Sequence, residues 1–483
     1  MKTHRIFIFL TLLLAFTFLL AACGGTPAAA PVEEAAPVEE EAAPAEEEAA
    51  PAEEEAAPVE ETPMAEEEAA VEEAEASAEE TAGAVTCDEP VKVGLITDET
   101  GALAIYGAMV LRSFPLGLEY ATGAQGEAVG DGQINYLLDG CPLEVYIRDD
   151  QSDPEATATL ARELIEVEGV DVLVGTVSSG ATATLQELAR ENQIPLIVAP
   201  AAANDITGAN FNEYTFRTSR NNYQDSVNIC EYLTKDYSTF VQIAPDYAFG
   251  YGGAQAYRDA CTVFGGEFVA DDIFAPLDTT DFTPYMEQIL DSGAQAWLVT
   301  WAGGGFIPMM QAATELGVTD EMDLGAAFID NVSLPVFFET QIGTTNGILY
   351  HYTLPDNEIN DWLVEKVQER NGTFPDLFDA DAMNAALLLA DALRATGGDV
   401  SADAMIAAME GMEFDGPKGT IFIRPEDHVA MQDMYIATLL NVDDPEFKFF
   451  EYVETNRPEV PCLLPEELQD RCGGLPIGNL SGE

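Results

Sequence analysis

Short apolar runs alternate with longer amphipathic segments through most of the chain after residue 90. The strands predicted from runs of Val, Ile and Leu lie at 91–96, 143–148, 170–176 and 195–198. Apolar residues at helical spacing predict helices at 154–168 and 181–192. Because runs such as VDVLVGT are apolar on both faces, the alternation predicts a parallel sheet that is covered by helices on both sides.

The same alternation begins again near residue 240. The second set of predicted strands lies at 240–244, 267–274, 296–300 and 324–328, and the predicted helices lie at 253–264, 282–292 and 306–316. Residues 86–483 form a segment of 398 residues, which is more than one hydrophobic core usually supports. The sequence therefore predicts an α/β protein with two doubly wound, Rossmann-like lobes.

The first 22 residues have the pattern of an export signal. Lys2 and Arg5 precede an apolar run at 6–22, whose seventeen residues are too few for an ordinary spanning helix. The following LAACG at 20–24 resembles the bacterial lipobox, in which the cysteine, here Cys23, is lipidated and becomes the mature N-terminus. An uncleaved anchor, or a plain secretory signal with an incidental cysteine, is the alternative. Each interpretation places the body outside the cytoplasmic membrane.

Residues 23–85 cannot build a core, because they are almost wholly Ala, Glu, Pro and Val. Proline recurs every seven residues from Pro37 to Pro58, but proline breaks a helix and no apolar seam accompanies it, so a coiled coil is not expected. Proline and self-repelling glutamate instead predict an extended, disordered spacer. Its expected role is to hold the folded body away from the membrane to which the lipid on Cys23 attaches it.

The formal charge is −68, from 87 acidic and 19 basic residues, and it excludes a broad binding face for nucleic acid or anionic lipid. The signal carries +2 and the spacer −21, which leaves −49 on residues 86–483. Halophilic adaptation, an acidic habitat and lineage drift all fit that surplus. The charge therefore indicates more about the surroundings of the protein than about its ligand.

Six cysteines remain when Cys23 is set aside, an even number in a compartment where disulfides persist. Cys87 and Cys141 precede strands that would begin side by side if they are parallel neighbours. Cys230 and Cys261 lie in helical stretches that flank the strand at 240–244. The last two cysteines would close a C-terminal loop. The predicted pairs are Cys87–Cys141, Cys230–Cys261 and Cys462–Cys472. No metal site is expected, because CxxC is absent and the histidines His4, His351 and His428 are scattered.

No catalytic constellation stands out in the sequence. Asp153, Pro154 and Glu155 are typical of a helix N-terminus rather than of a carboxylate pair. The glycines at 250–253 resemble a dinucleotide loop but lack its third glycine. GxSxG, HExxH and P-loop motifs are absent. We therefore expect neither enzymatic activity nor a cofactor.

An ordered set of motifs gives the chain a specific resemblance. The motifs are VGLITDETGALAIYG at 93–107, RDDQSDPEATATLARELI at 148–165, GVDVLVGTVSSGAT at 169–182, IPLIVAPAAANDIT at 194–207, YTFRT at 214–218, DYAFGYGGA at 246–254 and FDGPKGTIFIRPEDH at 414–428. In this order they resemble the leucine-binding-protein family, the type I periplasmic binding proteins that serve branched-chain amino acid ABC importers. The resemblance implies a Venus-flytrap fold with a three-strand hinge. Its implied bounds are 86–219 and 346–430 for lobe 1, 220–345 and 431–460 for lobe 2, and 461–483 for a disulfide-closed tail.

Ligands of open α/β sheets bind at the carboxyl ends of the strands, which identifies candidate residues on lobe 1. Ser178 and Ser179 follow a predicted strand and open a helix, where hydroxyls and free N–H groups suit a carboxylate. An ordinary helix cap is the alternative. Ala201, Ala202 and Ala203 follow the next strand, where the family usually supplies a backbone contact and then a hydroxyl. Alanine at 203 departs from that pattern and leaves the ligand identity open.

Four further residues are candidates for the cleft. Tyr106 and Phe249 match family aromatics that wall it, one from each lobe. Trp301 ends the run AWLVTW and lines the cleft or packs in the core, whereas Trp297 is expected in the core. Asp330 is the nearest acidic residue that could take a ligand ammonium, as an acidic residue does in the family, and a solvated loop aspartate is the alternative.

The resemblance implies a monomeric, extracytoplasmic, lipid-anchored receptor that captures a small polar organic ligand, an amino acid or a related carboxylate or amide. The ligand held by lobe 1 gains contacts to lobe 2 when the hinge closes, and the closed receptor delivers it to an ABC permease. Two alternatives are a ligand sensor of the same fold with a signalling partner, and an extracytoplasmic enzyme.

Overall fold

The computed structural model describes residues 85, 87, 89–130, 132–326 and 328–482. The predicted signal peptide at 1–22, the lipidation site Cys23 and the spacer up to residue 84 lie outside the described residues. The strands of the first sheet are Val91–Thr97 (β1), Glu127–Ala128 (β2), Gln133–Leu138 (β3), Cys141–Asp149 (β4), Val172–Val174 (β5), Leu196–Val198 (β6) and Thr215–Arg217 (β7).

The second sheet and two smaller sheets follow along the chain. The strands of the second sheet are Thr239–Pro245 (β8), Glu267–Phe268 (β9), Ile273–Ala275 (β10), Ala296–Val299 (β11) and Asp323–Ala326 (β12). The strands of the smaller sheets are Thr345–Ile348 (β13), Glu413–Gly416 (β14), Gly419–Ile423 (β15), Ala430–Met431 (β16), Met434–Leu439 (β17) and Phe450–Asn456 (β18).

Helices cover both large sheets. They are Ala104–Thr122 (α1), Pro154–Glu163 (α2), Ser179–Asn192 (α3), Asn222–Leu233 (α4), Ala248–Val263 (α5), Thr283–Ser292 (α6), Phe306–Leu316 (α7), Val318–Glu321 (α8), Leu334–Phe337 (α9), Glu358–Asn371 (α10), Asp379–Thr396 (α11) and Ala402–Met409 (α12). Within the described ranges, no helix combines the length and the apolar character that crossing a membrane requires.

The first sheet has the strand order β2-β3-β4-β1-β5-β6-β7, and its strands from β4 to β7 are parallel. Apolar side chains on one face pack against α1 and α11, including Phe114 and Leu388. Those on the other face pack against α2 and α3, including Ala161 and Leu185. Burial on both faces explains why these strands are continuous apolar runs.

The second sheet is parallel, with the order β10-β8-β11-β12 and β9 beside the start of β8. Helices α6 and α7 pack on the face that carries Trp297, and α4 and α5 pack on the face that carries Leu298. The chain passes from the first sheet to the second after β7, returns after β13, and passes back at β17. The expected α/β fold with two doubly wound lobes is confirmed, whereas the lobe bounds stay a prediction.

Two predicted elements differ in kind from the structure, and the helix predicted at 253–264 begins earlier, at Ala248. The strand predicted at 267–274 is two strands, because β9 pairs with the start of β8 and β10 with its end. The helix predicted at 154–168 is α-helical only to Glu163 and continues as a π-helix at Leu164–Glu168. The β2–β3 hairpin at the edge of the first sheet was not predicted. The split strand, the π-helix and the hairpin lie away from the loops that form the candidate site, whereas the earlier start of α5 places Phe249 in its first turn.

The three predicted disulfides are present: Cys87–Cys141, Cys230–Cys261 and Cys462–Cys472. The first joins β4 to the chain just before β1, and the register Val91 to Leu143 brings these starts together. The second joins α4 to α5, which lie on one face of β8. Each bond therefore follows from the neighbourhood that the sequence pattern predicted.

Candidate functional site

A cavity lies where the carboxyl ends of the two sheets face each other, and we refer to it as the ligand cavity. Its walls come from the loops that follow β1, β5, β6, β7, β8, β11 and β12, together with the chain before α11. The lining residues are Leu103, Tyr106, Val177, Ser179, Pro200, Ala201, Ala202, Arg220, Tyr247, Phe249, Ala302, Phe328 and Phe378. The cavity is narrow, since about 20 Å³ is open to the centre of a water molecule, whereas one water needs about 10–15 Å³.

The lobe 1 wall is built around the segment Pro200–Ala203. Ser179, the first residue of α3, accepts a hydrogen bond at Oγ from the Ala203 N–H at 3.2 Å. On the same segment, the carbonyl of Ala201 accepts from the Ser219 hydroxyl at 2.8 Å and from Arg217 Nη2 at 3.0 Å. These contacts fix the loop after β6 against the first pass of the chain between the lobes.

Arg220 lies on that first pass and is the charged residue of the ligand cavity. Its side chain is 1% exposed, and it donates from Nη1 to the Pro200 carbonyl at 3.0 Å and from Nε to Asp225 at 3.3 Å. Its Nη1 also lies 3.8 Å from a carboxylate oxygen of Asp381. The guanidinium is therefore held by residues of both lobes.

Aromatic rings form most of the remaining wall. The Arg220 guanidinium lies 4.5 Å from the ring centroid of Phe328 and 4.9 Å from that of Phe378. Phe249 lies 5.4 Å from Phe328, and Tyr106 packs edge-on against Phe378 at 5.0 Å. The ligand cavity is thus an aromatic slot with a cation at one side. The rings suit a flat ligand, and the guanidinium suits an anionic group.

Tyr106 connects the two lobes across the ligand cavity. Its hydroxyl accepts a hydrogen bond from the Gly303 N–H at 3.1 Å. Burial raises the pKa of Tyr106 well above its usual value, so the hydroxyl keeps a proton that it can donate. The next residue must be glycine, since a Cβ on Gly107 would lie 1.5 Å from the carbonyl oxygen of Asp98.

Five of the nine predicted ligand residues line the ligand cavity: Tyr106, Ser179, Ala201, Ala202 and Phe249. The other four do not line it. Ser178 is the N-cap of α3, and Ala203 packs into the core between the first sheet and α3. Trp301 is 1% exposed and packs edge-on against Phe282 in the core of lobe 2. Asp330 caps the turn before α9.

A second buried polar group adjoins Tyr106, and we call Asp330, Asp376 and Asp379 the carboxylate cluster. Asp330 accepts from the N–H groups of residues 332 and 333 and from the Ser333 hydroxyl. Asp376 accepts from the N–H groups of residues 331 and 377. Asp379 accepts two bonds from Arg112, one from the Ser113 hydroxyl and one from the Asp376 N–H.

The hinge contains further buried charges. Lys418 donates to Gln432 at 2.7 Å, and burial lowers its pKa to about 8. Burial raises the pKa of Asp225 to about 6 and lowers that of Arg217 to about 9. Neither carboxylate oxygen of Asp381 has a hydrogen-bond partner in the described ranges. Asp225 and Asp381 pair with Arg220, so these buried hinge charges adjoin the wall of the ligand cavity.

The described residues include no group of three or more His, Cys, Asp or Glu side chains placed to hold a metal ion. Sequence reasoning missed Arg220, Phe328 and Phe378. One signal could have identified Arg220, since it closely follows the YTFRT motif at 214–218 in a chain with only 19 basic residues. Phe378 gives no such signal, because it follows no strand. It lies just before α11, some 160 residues after Arg220.

The sequence profile of the family described as periplasmic binding protein matches residues 90–443. The Leu/Ile/Val-binding protein homolog 6 of Brucella melitensis is 28% identical over 374 residues, which are 75% of this chain and 91% of that protein.

Two solved structures have similar folds. An ABC-type branched-chain amino acid transporter from Rhodopseudomonas palustris is 33% identical, has a TM-score of 0.64, and is matched over 76% of this chain and 98% of that one. A solute binding protein of an ABC transporter from R. palustris, in complex with 3,4-dihydroxybenzoic acid, is 26% identical and has a TM-score of 0.66. It is matched over 76% of this chain and 97% of that one. The resemblance found in the sequence is confirmed, and the chain belongs to the periplasmic binding protein family, in its type I, leucine-binding-protein-like form.

Proposed function

We propose that this protein is an extracytoplasmic solute receptor that captures a small organic ligand, an amino acid or an aromatic carboxylate, between its two lobes and delivers it to an ABC importer permease. The observation that carries the proposal is the ligand cavity, which takes walls from both lobes at the carboxyl ends of both sheets. The relatives support the ligand classes, since one is named a Leu/Ile/Val-binding protein homologue and another holds 3,4-dihydroxybenzoic acid.

Hinge closure is the proposed mechanism. Ser179 and Ala201 on lobe 1 face Phe249 and Phe328 on lobe 2, so a ligand between them contacts both lobes only when the lobes are closed. Binding then favours the closed form by the difference in affinity between the two forms. Because the cavity has room for little more than water, the lobes must separate to admit a ligand. The receptor changes no covalent bond in this cycle.

The surroundings of the receptor are also part of the proposal. The signal at 1–22 and Cys23 support an anchored lipoprotein, and residues 23–85 support a spacer between membrane and receptor. One receptor carries one complete ligand cavity, which supports a monomer. Mass spectrometry of the mature N-terminus tests the anchor, and an unmodified Cys23 contradicts it.

A ligand screen by thermal unfolding tests the capture function. The panel contains aliphatic and aromatic amino acids, aromatic and aliphatic acids, amides and urea. A true ligand at 100 times its dissociation constant stabilises the folded form by about 2.7 kcal/mol, and small-angle scattering should show a more compact protein. A well-folded sample that responds to no member of the panel contradicts the proposal.

A further inference from the structure

The ligand cavity offers hydrogen-bond donors that the protein leaves free. Arg220 uses Nε and Nη1 within the protein, and no atom in the part of the chain that the structure describes accepts a hydrogen bond from its Nη2. Ser179 Oγ and Tyr106 Oη each accept one backbone N–H and keep their own protons for another partner. A buried donor without a partner is unfavourable, so these groups are suited to a ligand that accepts hydrogen bonds.

Two of these donors lie on one wall. Arg220 donates to the carbonyl of Pro200, and Ser179 accepts from the N–H of Ala203, three residues further on. A carboxylate bound there would receive one charge-assisted hydrogen bond from the guanidinium and one from the hydroxyl. Such bonds are about twice as strong as neutral ones.

The ligand cavity has no corresponding site for an ammonium group. No Asp or Glu is among its lining residues in the described ranges. Asp330, the residue expected to take an ammonium, directs its two oxygens to residues 332 and 333 instead. Asp225 and Asp381 are paired with Arg220. An α-amino acid would bury a cationic group with three donors and no anionic partner, which is strongly unfavourable.

We propose that the ligand is an aromatic monocarboxylate without an α-amino group, and that Arg220 is the residue that selects it. The carboxylate binds Arg220 Nη2 and the Ser179 hydroxyl, and the ring packs against the wall that Phe249, Phe328 and Phe378 form. This inference rests on the proposed function and narrows its two ligand classes to one.

Matched ligands test the class directly. Calorimetric titration compares benzoate with benzamide, which keeps the ring and loses the charge, and with L-phenylalanine, which adds the ammonium. We expect benzoate to bind, and benzamide and L-phenylalanine to bind about 10- to 100-fold more weakly. Tighter binding of L-phenylalanine or L-leucine than of benzoate overturns the inference while leaving the capture function intact. If nothing in the wider panel binds, both proposals fail.

Variants test the residue. Arg220→Gln should weaken benzoate binding about 100-fold and bring the benzoate-to-benzamide affinity ratio close to one, because the discriminating charge is gone. Arg258→Gln is the matched control, since Arg258 also pairs with a carboxylate, Asp272, and lies 4.5 Å from a ring centroid, that of Phe268, but outside the ligand cavity. An unchanged affinity ratio in folded Arg220→Gln overturns the assignment.

A second variant covers the case in which Arg220→Gln does not fold. Ser179→Ala removes the hydroxyl donor and keeps every charge, and we expect it to weaken benzoate about tenfold and benzamide less. If Ser179→Ala weakens the binding of benzoate and of benzamide equally, the result contradicts a carboxylate bound at this wall. A cooperative thermal transition verifies the fold of each variant before titration.

Discussion

The ligand cavity and the carboxylate cluster are both buried, and both bring polar groups close to Tyr106. They differ in how their polar atoms are used. In the carboxylate cluster, each of the three aspartates accepts hydrogen bonds from backbone or side-chain donors. In the ligand cavity, Arg220, Ser179 and Tyr106 keep donors that the protein leaves free. Burial and charge alone therefore do not identify a binding site, whereas unsatisfied donors around an open space do.

The largest expected effect comes from breaking the carboxylate cluster. Asp379→Ala leaves Arg112 and Ser113 without their acceptor and should lower the free energy of unfolding by about 3–5 kcal/mol, as measured by urea denaturation. Benzoate affinity of the folded fraction should change little. Asp391→Ala is the control on the same helix, because its ion pair with Arg394 is about 40% exposed and contributes about 0–1 kcal/mol. A large loss of ligand affinity in Asp379→Ala would erase the distinction between the two regions.

The pH dependence of stability gives the next effect. Burial, with the charge of Asp330, raises the pKa of Asp376 to about 7, while an unfolded aspartate titrates near pH 3.9. Between those values the folded form binds a proton that the unfolded form does not, so its stability increases as the pH falls from about 7 to about 4 and decreases as the pH rises. The charged and titratable groups that act on Asp376 from neighbouring elements are Asp330, Asp379, Arg112, Tyr106 and Tyr350.

Asp376→Asn tests this origin. In the parent protein this carboxyl should make the free energy of unfolding change by up to about 1.4 kcal/mol per pH unit between about pH 4 and pH 7. The variant should lose that pH dependence, as measured by urea denaturation at several pH values. Asp399→Asn is the exposed control, since hydrogen bonds to Ser401 lower the pKa of Asp399 and its titration lies below the window. An unchanged slope in Asp376→Asn would show that this carboxyl is ionised throughout.

Tyr106 lies between the ligand cavity and the carboxylate cluster, and Tyr106→Phe tests its hydroxyl. The change removes one donor from the ligand cavity and the acceptor of the Gly303 N–H from lobe 2. We expect ligand affinity to fall about tenfold and stability to fall by about 1 kcal/mol. Tyr257→Phe is the control, because the buried Tyr257 hydroxyl has no hydrogen-bond partner in the described residues. Equal ligand binding by both variants would exclude a ligand contact at Tyr106.

The smallest effect separates two adjacent serines. Ser178 caps α3 through a 3.5 Å contact with the Ala181 N–H, whereas Ser179 lines the ligand cavity. Ser178→Ala should lower stability by about 0.5 kcal/mol and leave benzoate affinity unchanged in titration. A loss of affinity comparable with that of Ser179→Ala would show that Ser178 also contacts the ligand.

The sequence predicts the fold better than the site. Apolar runs define most strands of both sheets. The strand starts place Cys87 beside Cys141, and the helical stretches that flank β8 place Cys230 near Cys261. Position after a strand also identifies Ser179 and Ala201, because carboxyl ends of parallel strands meet at one edge. The same rule does not fix side-chain direction in the loop, so Trp301 turns into the core against Phe282. Phe378 reaches the ligand cavity only through the return of the chain to lobe 1, which no local pattern encodes.

The Cys87–Cys141 disulfide has a mechanical consequence. It joins the amino-terminal ends of two hydrogen-bonded strands near the middle of the first sheet, and the ligand cavity lies at the opposite ends of the strands. A pull that arrives along the chain before Cys87 is shared between β1 and β4, so the two parallel strands bear it together and neither strand is peeled from the other. Such a load therefore enters the first sheet at the edge opposite the ligand cavity.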